Sequence, residues 1–146
     1  MKKALLLICL LFCLCMPVYA AEVDDAKEIV SMSNEVHYWV ADIDKLHKKC
    51  KAFTETYPKG LVTREVVKLH ITVLNIMGIY HDTDRLGDGA WMKFYNNPEN
   101  RRQYPDIDRR MQAEYGWSND NLILVLWDYG KERQKNLEIA ITENFQ

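Results

Sequence analysis

The chain has 146 residues, of which 19 are basic and 21 acidic, and its formal net charge at pH 7 is −2. This near balance gives no electrostatic basis for binding nucleic acid or an anionic lipid surface. The length is typical of one domain that is large enough to be stabilised by its own hydrophobic core.

The first twenty residues predict a secretory signal peptide. An apolar stretch, Ala4–Met16, follows two lysines and is ended by Pro17. Val18-Tyr19-Ala20 then places small residues at the two positions that a signal peptidase reads. We therefore expect cleavage after Ala20 and export to the periplasm or beyond. The alternative is an uncleaved membrane anchor, but a spanning helix needs about 20 apolar residues without a proline near its end.

Cys50 is the only cysteine between residues 21 and 146, because the other three lie in the predicted signal peptide. An internal disulfide is therefore excluded from the exported chain. Cys50 falls on the apolar face of a predicted helix, which favours a small buried hydrophobic side chain. The alternative is a reactive or intermolecular thiol, which needs exposure and a lowered pKa.

The segment from Asp24 to Tyr57 predicts one long helix. Its apolar residues recur at alternating steps of three and four over four heptads, as in a helix packed along a bundle seam. These residues are Ile29, Met32, Val36, Trp39, Ile43, Leu46, Cys50, Phe53 and Tyr57. Pro58-Lys59-Gly60 is expected to end this helix.

A second long helix is predicted from the apolar run Val62–Tyr80, with Thr63 as its N-cap. The run is apolar nearly all round, which is typical of a helix that lies between other helices. Its polar stripe is narrow and consists of Lys68, Thr72 and Asn75. The polar, glycine-containing segment His81–Gly89 that follows is predicted to be a loop.

Short helices rich in aromatic residues are predicted next. Asn97 followed by Pro98 is a typical helix start, and Pro105 is expected to interrupt the helix. An apolar stripe of Ile107, Met111 and Tyr115 then indicates a further helical segment.

The last helix is predicted to begin after an N-cap at Ser118 or Asn119. Leu122–Trp127 alone could form a buried strand, but apolar residues continue at helical spacing to Phe145 and there is no partner strand. Together the patterns predict an all-α, four- or five-helix bundle with two long helices, formed by residues 21–146 as a single domain.

Three histidines are the candidates for binding a metal ion or a non-covalent haem. His70 lies in the middle of an apolar arc, and His47 can approach it if the first two helices are antiparallel neighbours. His81 follows His70 by about three helical turns. An isolated inward histidine is more often a hydrogen-bonded core residue, and covalent haem attachment would need a Cys-x-x-Cys-His motif. The sequence therefore favours a protein without a cofactor.

No motif in the chain predicts an enzymatic reaction. None of the serines lies in a Gly-x-Ser-x-Gly turn, and the chain contains no phosphate-binding glycine loop and no His-Glu-x-x-His motif. His47 lies three residues before Cys50, which is the minimal spacing of a thiolate–imidazole pair on a helix. The apolar position of Cys50 argues against this role.

Aromatic and arginine residues are concentrated in the middle of the chain. Tryptophan, tyrosine and arginine are enriched at binding hot spots. The predicted partner-binding residues are Trp91, Tyr95, Arg101, Arg102, Tyr104, Arg109 and Trp117. The alternative is that these aromatics cover the ends of the bundle.

The leading hypothesis is an exported, non-catalytic interaction protein, such as an inhibitor or an immunity-type partner of another exported protein. A bundle that binds haem, a metal ion or a small molecule is the first alternative. An enzyme of unassigned reaction is the second.

Overall fold

The computed structural model describes residues 2–36 and 40–145, which are helical and contain no strand. The chain forms α1 (Lys2–Glu35), α2 (Val40–Thr56), α3 (Thr63–Leu86), a 3₁₀ turn (Gly87–Gly89), α4 (Ala90–Tyr95), α5 (Pro98–Gln103), α6 (Ile107–Ala113) and α7 (Asn119–Asn144). The predicted all-α bundle is confirmed.

The prediction of one continuous helix from Asp24 to Tyr57 is wrong, because the chain reverses after Glu35. α2 lies antiparallel along the second half of α1, so that Lys49 donates a hydrogen bond to Asp25 over 3.0 Å. Tyr57 also donates to Asp25, over 2.8 Å. Residues of both helices face the same core. The apolar spacing therefore continues from α1 into α2, although the two are separate helices. Trp39, at the centre of the predicted seam, lies outside the described residues.

α1 continues through Pro17 and through the predicted cleavage position without interruption. The side chains from Val18 to Ala21 are exposed, and Glu22 is the first buried residue that the structure describes. Among the residues described, no helix has both the length and the apolar character that crossing a membrane requires.

Glu22 connects α1 to the start of α3. Its buried carboxylate accepts a hydrogen bond from the backbone N–H of Val62 over 3.1 Å. Val62 occupies the N-cap position, so the prediction that Thr63 caps this helix is wrong. The Thr63 hydroxyl instead donates to the carbonyl of Tyr57 over 2.5 Å. Gly60 leaves room for both the Glu22 carboxylate and the Thr63 hydroxyl, because a Cβ at this position would collide with each of them.

Thr72, at the centre of the predicted polar stripe of α3, faces inward, toward α7. The hydroxyl of Thr72 is buried and accepts hydrogen bonds from Arg133 Nη1 over 2.7 Å and from Tyr104 over 3.3 Å. Arg133 also donates to the carbonyl of Lys68 over 2.9 Å, and Asn75 donates to the Tyr104 hydroxyl over 2.9 Å. These bonds satisfy polar groups that would otherwise be costly to bury.

Part of the apolar arc of α3 faces outward as a result. α3 lies between α2 and α7, as predicted, but Val67 and Leu74 are exposed, so its apolar arc is not fully covered. α3 also extends to Leu86, and only Gly87–Gly89 of the predicted loop is non-α-helical. Asp82 lies on this extension and pairs with Lys93 over 3.0 Å.

Several other local predictions are confirmed. Asn97 caps α5 by accepting from the N–H of Glu99 over 3.0 Å, and Pro105 lies in the break before α6. The Ser118 hydroxyl caps α7, which includes Leu122–Trp127 as helix. Cys50 is buried and not in a disulfide, and burial raises the pKa of its thiol to about 12.

The rotation of α3 can be tested with two leucine-to-alanine changes on the same helix. Leu69 is 1% exposed and Leu74 is 44% exposed. Leu69→Ala should lower the free energy of unfolding by about 2–5 kcal/mol because it leaves a cavity, whereas Leu74→Ala should lower it by less than about 1 kcal/mol. Urea denaturation measures both values. Similar losses at the two positions would contradict the inward orientation of Thr72.

Candidate functional site

Trp91, Tyr95 and Trp117 form a compact group of rings at the protein surface, here called the aromatic cluster. The two indoles are stacked, with centroids 5.7 Å apart and an interplanar angle of 29°. The Tyr95 ring meets them edge to face, with centroid distances of 6.1 Å to Trp91 and 5.1 Å to Trp117. These are favourable aromatic geometries, so the cluster is a stable structural unit.

Two asparagines of α7 hold the backbone that carries the aromatic cluster. Asn119 accepts from the backbone N–H of Trp91 over 2.8 Å and donates to the carbonyl of Gly87 over 2.8 Å. Asn121 donates to the carbonyls of Glu114 and Gly116 over 2.7 and 2.9 Å. The turn that leads to Trp117 and the first turn of α4 are therefore both fixed to the start of α7.

A surface depression of about 550 Å³ opens beside the aromatic cluster. Arg101 Cζ lies 4.4 Å above the centroid of the Tyr95 ring, and the same guanidinium donates a hydrogen bond to Asp108 over 2.6 Å. The depression is therefore lined by an ion pair next to aromatic rings. Aromatic surface with a few oriented polar groups is typical of binding sites. The lining residues are Trp91, Met92, Tyr95, Asn96, Arg101, Asp108 and Trp117.

Tyr115 is 100% exposed and has a backbone φ of 67°. It occupies the left-handed position after α6, where its N–H donates to the carbonyl of Gln112 and that of Gly116 donates to the carbonyl of Met111. This pair of bonds is a Schellman motif, in which glycine is usual at the left-handed position. The prediction that Tyr115 continues the apolar stripe is therefore wrong, although Ile107 and Met111 are buried as expected.

Four of the seven predicted partner-binding residues line the depression: Trp91, Tyr95, Arg101 and Trp117. Arg102 and Arg109 are exposed outside it, where they pair with Glu99 and Asp106. Tyr104 is fully buried, so it is available to the polar network around Thr72 and not to a partner.

Sequence reasoning missed the other residues of the site. Met92, Asn96 and Asp108 carry no motif, and only the folded chain places them in the depression. Tyr115 ends the predicted apolar stripe, directly before a glycine that indicates a helix end, and the structure places a left-handed residue at Tyr115 itself.

A charged network joins the start of α6 to α7. Asp106 accepts hydrogen bonds from the Tyr129 hydroxyl and from Arg110 Nε, the latter over 2.9 Å. The Arg110 guanidinium also binds both carboxylate oxygens of Glu132, over 2.8 and 3.1 Å. The bond from Tyr129, followed by that from Arg110, lowers the pKa of Asp106 to about 2.

The structure brings His47 of α2 and His70 of α3 into contact. His47 Nδ1 lies 2.8 Å from His70 Nε2, and the ring centroids are 5.0 Å apart. Burial, with smaller contributions from His47 and Lys51, lowers the pKa of His70 below its ordinary value. His81 is exposed and lies beside Asp82, with 3.8 Å between His81 Nδ1 and Asp82 Oδ1.

The histidine pair does not fit the axial ligation of a haem. Two axial nitrogens on opposite sides of iron are about 4 Å apart, and the porphyrin plane must pass between them. The 2.8 Å contact leaves no space for that plane. In the part of the chain that the structure describes, no group of three or more His, Cys, Asp or Glu side chains is arranged to hold a metal ion.

Comparison of the chain with protein-family models, with curated proteins and with solved structures gives no match.

Asp106 is expected to make the stability of the protein depend on acid pH. Its folded-state pKa of about 2 is below the ordinary value of 3.8, so its contribution to stability is complete above about pH 4. That contribution is lost as the pH falls from about 4 to about 2. Asp106→Asn should lower the free energy of unfolding at pH 7 and flatten its decline over this range.

Asp128→Asn is the control, because Asp128 is an exposed carboxylate of α7 next to Tyr129 in the sequence. Denaturant titrations at several pH values measure both variants. An Asp106→Asn profile parallel to that of the wild type would contradict the role assigned to the Tyr129 contact.

Proposed function

We propose that the protein is an exported, non-catalytic interaction module that binds another exported protein, as an inhibitor or immunity-type protein does. The binding surface consists of the aromatic cluster together with Arg101 and Tyr115, and it is called the aromatic surface below. The observation that carries the proposal is the exposure of Tyr95 and Arg101, which line the depression with the two half-buried indoles, and of Tyr115, two residues before Trp117.

The exposure distinguishes the aromatic surface from aromatics that cover the end of the bundle. Phe94 and Tyr104 have that covering role, because both are buried and in contact with each other. Tyr95 and Tyr115, in contrast, are 39% and 100% exposed. Tyrosine, tryptophan and arginine bind partners well because they combine large contact area with hydrogen-bonding groups.

The aromatic surface is also held in place before binding. Asn119 and Asn121 fix the two segments that carry the indoles, and Arg101 is held between Tyr95 and Asp108. A prearranged surface loses less conformational entropy on association, so more of the contact energy contributes to affinity.

Tyr115 supplies a second line of support. A left-handed conformation costs an L-residue about 1–2 kcal/mol relative to the right-handed one, and this tyrosine makes no burial gain in return. Strained, exposed residues are concentrated at functional sites, where stability is lower than it could be. Burial of the Tyr115 ring against a partner would explain its position.

The nucleophile candidates support a role without catalysis. Burial keeps the Cys50 thiol protonated, with a pKa of about 12. The Ser118 hydroxyl caps α7, and that of Ser31 donates to Glu35 on the same helix. Neither hydroxyl is paired with a histidine, as nucleophilic catalysis would require.

Export is supported by the sequence of the first twenty residues and by where packing begins. The described side chains just before Glu22 are exposed, whereas Glu22 and Ala26 are buried in the bundle. Removal of residues 1–20 would therefore leave the contacts of Glu22 with α3 intact.

We expect changes in the aromatic surface to weaken binding of the partner. The partner is first captured from periplasmic extract with the wild-type protein, identified by mass spectrometry and purified. Trp117→Ala should weaken its binding by about 1–4 kcal/mol in calorimetry. Tyr115→Gly should weaken binding while raising the free energy of unfolding by about 1 kcal/mol, because glycine relieves the left-handed strain.

Ile139→Ala is the control, since Ile139 is an exposed apolar residue twenty positions beyond the start of α7, about 30 Å from that end. It should change neither quantity appreciably. If Tyr115→Gly and Trp117→Ala both bound the partner as tightly as the wild type, the aromatic surface would not be the binding site.

Cleavage is expected after Ala20. Mass spectrometry of protein from the native host should find Ala21 as the first residue, because Val18-Tyr19-Ala20 meets the requirement of a signal peptidase. Recovery of intact Met1 in the membrane fraction would instead establish the uncleaved anchor.

A further inference from the structure

The contact between His47 and His70 joins two imidazoles that are carried by different helices. The nitrogens that face each other, His47 Nδ1 and His70 Nε2, are 2.8 Å apart. Leu46 precedes His47 and Leu69 precedes His70, and both leucines are buried in the core. The backbones of α2 and α3 are therefore fixed at this point, while both imidazoles are only half-buried.

Two nitrogens at this distance can share one hydrogen or bind one metal ion. We propose that His47 and His70 form a two-histidine site for a divalent transition-metal ion, and that copper(II) fits it best. Imidazole is a common ligand of copper, nickel and zinc, and copper(II) binds nitrogen ligands most tightly among the divalent ions of this series.

The separation of the nitrogens favours copper over zinc. With metal–nitrogen bonds of about 2.0 Å, adjacent ligands at a right angle are about 2.8 Å apart, whereas tetrahedral ligands are about 3.3 Å apart. The observed 2.8 Å matches the right-angled arrangement of a square-planar or tetragonal ion. The rings need only turn so that both lone pairs meet at the ion.

Binding requires a change of tautomer but no net loss of a proton. In the hydrogen-bonded pair, one imidazole carries its hydrogen on the facing nitrogen and the other presents a lone pair. When the ion binds, the donor's hydrogen moves through solvent to its other ring nitrogen. Both facing nitrogens then donate a lone pair to the metal, and the ligands remain neutral.

Water completes the coordination sphere in this arrangement. The described residues provide no third His, Cys, Asp or Glu ligand, and the nearby Cys50 is a buried thiol. Lys51 is close enough to act on His70 electrostatically, so its positive charge weakens binding of a dication. Replacing Lys51 with glutamate reverses this charge and tests the site while His47 and His70 both remain.

The experiment is a titration of the purified protein with copper(II), followed by electron paramagnetic resonance at pH 7. The expected result is one tightly bound ion per chain with hyperfine splitting from two imidazole nitrogens. His47→Gln and His70→Gln should each weaken binding by about tenfold or more, and Lys51→Glu should strengthen it. His81→Gln is the control, because His81 is exposed and lies eleven residues, about 16 Å, further along α3 than His70, and it should bind as the wild type does.

Circular dichroism shows whether each variant is folded, and Lys51→Glu keeps the test valid if a histidine variant is not. Unchanged affinity in the folded His47→Gln and His70→Gln proteins would overturn the proposal. The proposal would also be overturned if Lys51→Glu bound copper(II) more weakly than the wild type, if His81→Gln lowered the affinity, or if the protein bound zinc(II) more tightly than copper(II).

Discussion

The contact between α3 and α7 through Thr72 and Arg133 sets the orientation of the central helix. A guanidinium at a helix interface needs hydrogen-bond acceptors, and the Thr72 hydroxyl and the Lys68 carbonyl supply them. Tyr104 stacks under the same guanidinium, with 4.6 Å from Arg133 Cζ to its ring centroid. Once these groups face α7, Leu74 on the opposite side of α3 faces solvent. His70 is then left in contact with α2.

This orientation also determines where the aromatic surface lies. α3 continues to Leu86, and the short turn after it brings α4 against the start of α7. Asn119 bonds the Gly87 carbonyl and the Trp91 backbone, so the end of α3 and the beginning of α4 are held by one side chain. The position of Trp91 therefore follows from the packing of the long helices.

Local sequence signals predicted the parts of the fold that depend on neighbouring residues. Asn97 and Ser118 act through bonds within three residues, and Cys50 is buried as its place in the pattern indicates. The antiparallel arrangement of α1 and α2 could not be predicted, because apolar spacing shows which residues face the core but not where the helix axis reverses. The inward orientation of Thr72 was missed since Arg133, which binds it, is more than sixty residues away.

The candidate sites were predictable in residue type but not in geometry. Trp91, Tyr95 and Trp117 could be selected because tryptophan and tyrosine are enriched at binding sites. Nothing local distinguishes the buried Tyr104 from the fully exposed Tyr115. Glycine at the left-handed end of α6 would be expected, and Gly116 lies one residue later. A helix one residue longer would place this glycine at that position, so the fold itself does not require a tyrosine there, and for this reason Tyr115 is included in the proposed binding surface.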